Sequence, residues 1–165
     1  MKKLTIVKIG GQVVDDQTGL NQFLKQFSSL DSLKILVHGG GGQASKISSQ
    51  MGIEPQMVAG RRITNMDSLK VVQMVYAGLI NTNIVARLQS LNCNAHGISG
   101  ADGNSILAIK RPVKEIDYGY VGDIIKVDSN FLKQLFSIGS VPVFCALTHN
   151  GNGQILNTNA DTITA

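Results

Sequence analysis

KILVHGGGGQASKISSQM, Lys34 to Met51, runs a short β-rich apolar segment into four consecutive glycines, after which Ala44, Ile47 and Met51 recur at helical spacing. A buried strand, a glycine turn and a short helix in that order are a building unit of an α/β sheet. The glycines also uncover backbone amides at the positive end of the helix, where an anion can be met.

The flanking sequence extends the same grammar. LTIVKI (Leu4–Ile9) reads as a first strand ending at Gly10-Gly11, and Leu20, Phe23, Leu24, Phe27 and Leu30 give the helix that returns the chain to KILVH. Downstream, QMVAGRRIT (Gln56–Thr64) reads as two short strands turning at Ala59-Gly60. Thr64 and Asp67 then predict a capping box opening a helix of roughly 25 residues, Met66 to about Leu91. Its apolar residues surround more than one face, which predicts burial on both sides: one against the core and one against a twin subunit. NAHGISGADGNSILAIKR (Asn94–Arg111) gives strand, glycine loop and strand, and YGYVGDIIKVD (Tyr118–Asp128) is its antiparallel partner. Asp128 or Ser129 caps a further helix, and VPVFCAL (Val141–Leu147) is the last buried strand. No repeat or linker divides the chain, so residues 1–165 read as one domain.

Bulk composition narrows the function classes. With 165 residues, 43% hydrophobic and 16% charged, the chain can bury one sizeable core. The net charge of +4 comes from scattered basic residues, and the aromatics are only three tyrosines and five phenylalanines. A nucleic-acid surface needs a basic stripe with stacking platforms, so a small anionic ligand fits better. Cys93 and Cys145 form no CxxC, and His38, His96 and His149 lack metal-ligand spacing, which points to a reduced, cytoplasmic setting with no resident metal. The apolar run Leu4–Ile9 is too short for a signal core or a membrane span.

Four places could carry chemistry. Strand alternation puts Leu4, Ile6 and Lys8 on one face, so a lysine ends an apolar row beside Gly10-Gly11, where a phosphate could meet both ammonium and amides. Gly39–Gly42 fail the Walker pattern, because Lys46 follows Ser45 without the required glycine. Gly39, Gly41 and Ala44 do match a dinucleotide fingerprint, but no carboxylate follows about 20 residues on, so a dinucleotide-binding domain stays open as an alternative. Arg61 and Arg62 face opposite ways in a strand, so one of them can offer its planar fork to a ligand carboxylate. In ILNTNADTITA (Ile155–Ala165), Asn157, Asn159 and Asp161 offer a turn and cap signal, and in an extended run they would aim two amides and a carboxylate to one side.

VKIGG, VHGGGG, GRRIT, GISGADGN, YVGDI and LNTNAD, in that order from Lys8 to Asp161, resemble the acetylglutamate kinases of the amino acid kinase family. The resemblance implies a three-layer αβα sandwich with a mainly parallel open sheet, and phosphoryl transfer from ATP with Mg²⁺ to the γ-carboxylate of an N-acylglutamate in arginine biosynthesis. It implies that Lys8 stabilises the migrating phosphoryl group and that Asp161 orients catalytic lysine. Gly40, Gly41, Arg62, Asn157 and Asn159 would then hold the acylated amino acid, and Gly10, Gly11 and Gly39 the phosphate. Members continue through a second, ATP-binding lobe of on the order of one hundred more residues, so this chain is expected to be the substrate-binding and dimerisation lobe and to phosphorylate little alone. The first strand begins at Leu4 without an extra helix before it, which implies an arginine-insensitive homodimer through the helix 66–91. A non-catalytic amino-acid-binding module is the remaining alternative.

Overall fold

The computed structural model describes residues 3–165, so residues 1 and 2 of the expected domain lie outside the described residues. In chain order the elements are β1 (Leu4–Ile9), α1 (Gly11–Asp15), α2 (Gln17–Ser28), β2 (Leu33–His38), α3 (Gly41–Gln50), β3 (Gln56–Val58), β4 (Arg61–Ile63) and α4 (Met66–Gln73). A π-helical stretch (Met74–Asn81) joins α4 to α5 (Thr82–Ser90). Then come β5 (Ala95–Ile98), β6 (Ile106–Lys110), β7 (Gly122–Val127), α6 (Ser129–Ser137), β8 (Val141–Cys145), β9 (Leu147–His149), β10 (Ile155–Asn157) and α7 (Ala160–Thr164).

The central sheet is parallel throughout, in the order β1-β2-β8-β5. This is the expected α/β fold. Its inner strand β2 reads as a continuous apolar run because it is covered on both faces, with Ile35, Leu36, Val37 and His38 all buried. The segment read as one last strand breaks at Ala146 and enters a second sheet, ordered β10-β9-β6-β7, in which β6 and β7 pair antiparallel as expected. The β3–β4 hairpin stands apart from both sheets.

Some details depart from the sequence reading. The apolar row on β1 faces outward: Leu4 and Ile6 are 45% and 41% exposed, because β1 is the edge strand and Ile9 takes the inward side. Helix α2 ends at Ser28 and leaves Leu30 exposed, while α3 buries Ala44 and Ser48 and leaves Met51 exposed. The long helix is capped by Asn65, whose side chain accepts from the Ser68 amide at 2.8 Å. Thr64 is instead a fully buried bridge residue paired with Gly119, so its hydroxyl is already inside the fold. From Met66 to Ser90 this helix is long and apolar enough by composition to cross a membrane. Leu69, Val71, Val72, Val75, Tyr76, Ile80, Ile84 and Leu88 are nonetheless buried in the protein, and Met74 and Leu79 are the large apolar residues left on its outer side beyond the first turn. Asp128 caps α6 as read, accepting from the Asn130 amide.

One polar cluster sits in the middle of this apolar packing. Asn81, at the end of the π-helical stretch, donates from Nδ2 to the Val143 carbonyl of β8 at 2.9 Å and meets Nε2 of His38 on β2 at 3.0 Å. Gly97 on β5 makes room for it, since a Cβ there would collide with Asn81 Oδ1. Burial pushes the His38 imidazole down to about 4, with the hydrogen bond to Gly39 pulling weakly the other way. Its strand neighbour in register, Cys145, is likewise kept neutral, burial pushing its thiol up to about 12.

A histidine that is neutral when folded but protonates near 6.5 when unfolded binds its proton preferentially in the unfolded chain between those values. Stability is therefore full above about pH 6.5 and declines as the pH falls toward about 4, by about 3 kcal/mol from this group. Urea unfolding over that interval is expected to show a steeper loss for the wild-type chain than for His38→Gln. Parallel curves would exclude the imidazole as the linked group.

Candidate functional site

Parallel strands place their carboxyl ends together, and here Ile9 of β1 stands in register with His38 of β2. The glycines that follow each strand therefore emerge side by side: Gly10-Gly11 opening α1, and Gly39-Gly40 opening α3. Helix α7 packs across the same two strands. Between them lies a cleft of about 280 Å³ lined by Lys8, Gly10, Gly11, Gly39, Gly40, Gly41, Arg62, Asn157, Asn159 and Asp161. The structure thus brings together in one place the ten residues to which the family resemblance assigned a role, while Gly42 of the glycine run and Ala44 of the fingerprint do not line the cleft.

Close packing dictates the glycine at position 40. Its φ is +156°, and a Cβ would overlap Ile80 and stand 3.2 Å from the Tyr76 ring, both on the π-helical stretch. Lys8 folds back over the first turn, its Nζ 3.9 Å from where a Cβ of Gly10 would lie, and forms a 2.9 Å ion pair with Asp161. Asn159 caps α7 by accepting from the Asp161 amide at 2.7 Å. The expected alternation of Asn157, Asn159 and Asp161 along one extended run is therefore replaced by a strand end, a cap and a helix residue. Asn157 Nδ2 donates to Thr64 Oγ1 at 3.0 Å, which ties β10 to the start of the long helix.

Arg62 is the electrostatic anomaly. It is only 8% exposed, yet its guanidinium donates to the Gly41 carbonyl at 3.0 Å and Ser45 Oγ at 2.6 Å, and among the described residues no carboxylate pairs with it. Burying a cation without a counter-charge is costly unless a ligand supplies one. Arg61, on the other face of β4, also reaches the rim, because the hairpin is short and overhangs the cleft. Arg111 lines the far side, but two of its nitrogens are taken by Asp123, the shorter contact being 2.7 Å, and its guanidinium lies over Tyr118. Among the described residues that line the cleft, Lys8, Arg61, Arg62 and Arg111 thus outnumber the carboxylate of Asp161.

The sequence reading passed over Tyr76, Met57, Tyr118, Val121, Ala146 and Thr158, which also line the walls. Tyr76 looked like any core residue of an apolar helix, and burial raises its phenol, with Arg62 pulling the other way. The dinucleotide grammar is not completed: after β2 and α3 the chain enters the detached hairpin, whereas the strands flanking β2 are β1 and β8. Among the described residues no group of three His, Cys, Asp or Glu side chains could hold a metal ion.

Acetylglutamate kinases from Phocaeicola vulgatus and Cytophaga hutchinsonii are 56% and 58% identical over 162 and 164 residues, covering 98% and 99% of this chain. The chain spans 63% and 62% of the length of those relatives. The crystal structure of smu.665 from Streptococcus mutans superposes with a TM-score of 0.85 at 22% identity, covering 99% of this chain and 66% of that one, a likeness of fold. The sequence profile of the amino acid kinase family matches residues 3–165, and the chain belongs to that family.

Proposed function

We propose that these residues form the substrate-binding lobe of an acetylglutamate kinase, which transfers the γ-phosphoryl group of ATP to the side-chain carboxylate of an N-acylglutamate in arginine biosynthesis. The carrying observation is the buried Arg62, which among the described residues has no carboxylate partner. The names and identities of the two bacterial relatives support the substrate class.

The chemistry follows from charge. A carboxylate approaching a γ-phosphoryl group brings two anions together, so the protein must position them and offset their repulsion. Arg62 takes the α-carboxylate with the guanidinium edge left by Gly41 and Ser45, and Asn157 and Asn159 meet the acylamino group. The reacting carboxylate then lies toward Lys8 and the amides of Gly10, Gly11 and Gly39–Gly41. Lys8 meets the negative oxygens of the transferring group, with Asp161 holding its ammonium in place. The attacking carboxylate oxygen forms the new O–P bond as the bond to the β-phosphate bridge oxygen breaks, giving an acyl phosphate and ADP. Mg²⁺ enters with ATP and offsets charge on the phosphates. A pure amino-acid sensor would need neither Lys8 nor Asp161 in this arrangement. A cytoplasmic setting suits the two buried free thiols, Cys93 and Cys145.

Met66, Met74 and Leu79 leave an apolar strip along the outside of the long helix, and a second copy of the chain is its proposed cover. Sedimentation is expected to give a dimer, converted to a monomer by Leu79→Glu. A wild-type monomer would remove this part of the proposal.

Calorimetric titration with N-acetyl-L-glutamate is expected to give saturable heat. Arg62→Ala should weaken binding about 10- to 100-fold, the usual effect of losing charge-assisted bonds, with partial recovery in Arg62→Lys. Equal affinity in wild type and Arg62→Ala would refute the placement of the substrate. With MgATP, N-acetyl-L-glutamate and hydroxylamine, these 165 residues alone are expected to yield no acyl hydroxamate above background, since the relatives' remaining length carries the proposed nucleotide site. Turnover comparable to the Cytophaga hutchinsonii enzyme would overturn the lobe assignment.

A further inference from the structure

We infer that His38 is a positioning residue of the site: held in one tautomer by Asn81, it pins the Gly39 carbonyl and thereby aims the Gly40 amide at the bound anion. This rests on the proposed substrate site and adds to it a residue that touches no ligand.

The tautomer follows from partners that cannot change role. His38 Nδ1 lies 2.8 Å from the Gly39 carbonyl, which only accepts, so Nδ1 carries the proton. Asn81 Nδ2 lies 2.9 Å from the Val143 carbonyl, another obligate acceptor, so that atom is the amide nitrogen and its second hydrogen points to His38 Nε2. Nε2 is then the unprotonated, accepting nitrogen. Both imidazole nitrogens and the Asn81 amide nitrogen have complementary partners, as a buried network requires to be stable.

The peptide joining Gly39 to Gly40 is planar and trans, so the direction of its carbonyl sets that of the Gly40 N–H on the opposite side. The carbonyl is drawn toward a histidine with 0% exposure, and the N–H is turned the other way, where Gly39, Gly40 and Gly41 line the cleft. Among the described residues the Gly40 amide has no acceptor, and His38 is the one hydrogen-bond partner of the Gly39 carbonyl. Glycine's freedom at positive φ lowers the barrier to flipping this peptide, and Gly40 has a φ of +156°, so a side chain that holds the Gly39 carbonyl fixes what the backbone leaves loose. The π-helical stretch supplies both halves of the clamp: Tyr76 and Ile80 close on Gly40 from outside, and Asn81 fixes His38 from inside.

Two substitutions separate positioning from support. Asn in place of His38 can keep a donor near Nδ1 but not the contact with Asn81; Gln keeps an acceptor near Nε2 but loses the donor to Gly39. His38→Asn is expected to bind N-acetyl-L-glutamate within about threefold of wild type, and His38→Gln about tenfold more weakly, although both are less stable. Affinity that follows stability in both variants, or is unchanged in both, would overturn the inference.

Three readings by NMR need no ligand affinity to decide the matter. Long-range ¹H–¹⁵N correlations on the wild-type imidazole are expected to give a protonated Nδ1, and the opposite tautomer would refute the clamp. The wild-type Gly40 amide is expected to exchange rapidly with solvent; strong protection in the free chain would refute its aim into the cleft. Gly40 and Gly41 resonances should move in His38→Gln and stay near their wild-type positions in His38→Asn. If wild type binds no N-acetyl-L-glutamate, the substrate reading fails, and these signals still decide the clamp.

Discussion

Asn81 commits both hydrogens of one side-chain amide inside the core, one to His38 on β2 and one to Val143 on β8, while its oxygen side presses on Gly97 of β5. Three of the four strands of the parallel sheet are thus referred to a single side chain at the end of the π-helical stretch. An apolar residue of similar size would satisfy the packing but would leave the Val143 carbonyl and His38 Nε2 unpaired, a penalty of about 1 to 3 kcal/mol for each group. The helix cannot slide along the sheet without breaking both bonds. Since Tyr76 and Ile80 ride on the same stretch and close on Gly40, the register of helix on sheet also sets the shape of the glycine turn.

From that fixed point the site is built outward in order of decreasing burial. Arg62 is held nearly inside the protein by a carbonyl and a hydroxyl, neither of which neutralises it. Lys8 and Asp161 neutralise each other, but their side chains are 30% and 69% exposed. The first arrangement stores an unmet demand for negative charge, and the second places a movable one at the mouth. Arg111 shows what a satisfied guanidinium looks like in the same protein: two nitrogens on Asp123, a ring beneath it, and little left to offer a ligand.

The chain's local chemistry made much of this readable. Glycine runs after β-rich segments, the period of α2 up to Phe27, one of the two caps offered for α6 and the β6–β7 pairing are signals carried by neighbouring residues, and these formed as read. What stayed hidden depended on distant partners. Thr64 has the chemistry of a cap, but Asn65 follows it and Gly119 pairs with it from 55 residues away, so the cap moves by one. Asn157 and Asn159 carry the right side chains, but a strand end and a cap do not alternate as one strand would. His38 and Asn81 gave no signal at all, because a lone histidine ending a strand and an asparagine within an apolar helix acquire meaning only when the fold brings them to 3.0 Å.

The Lys8–Asp161 pair stands at the mouth of the cleft, its side chains 30% and 69% exposed. Ion pairs this exposed contribute on the order of 0 to 1 kcal/mol to stability, so folding gives little reason for a lysine to be held in this position. The attraction between charges rises several-fold when water is replaced by a medium of lower polarity. An ammonium already steered by a carboxylate would therefore act weakly on an anion in the open cleft and strongly once a second substrate covers it. In the proposed reaction that cover is the phosphoryl donor itself, so the charge that stabilises transfer becomes effective only when both reactants are present.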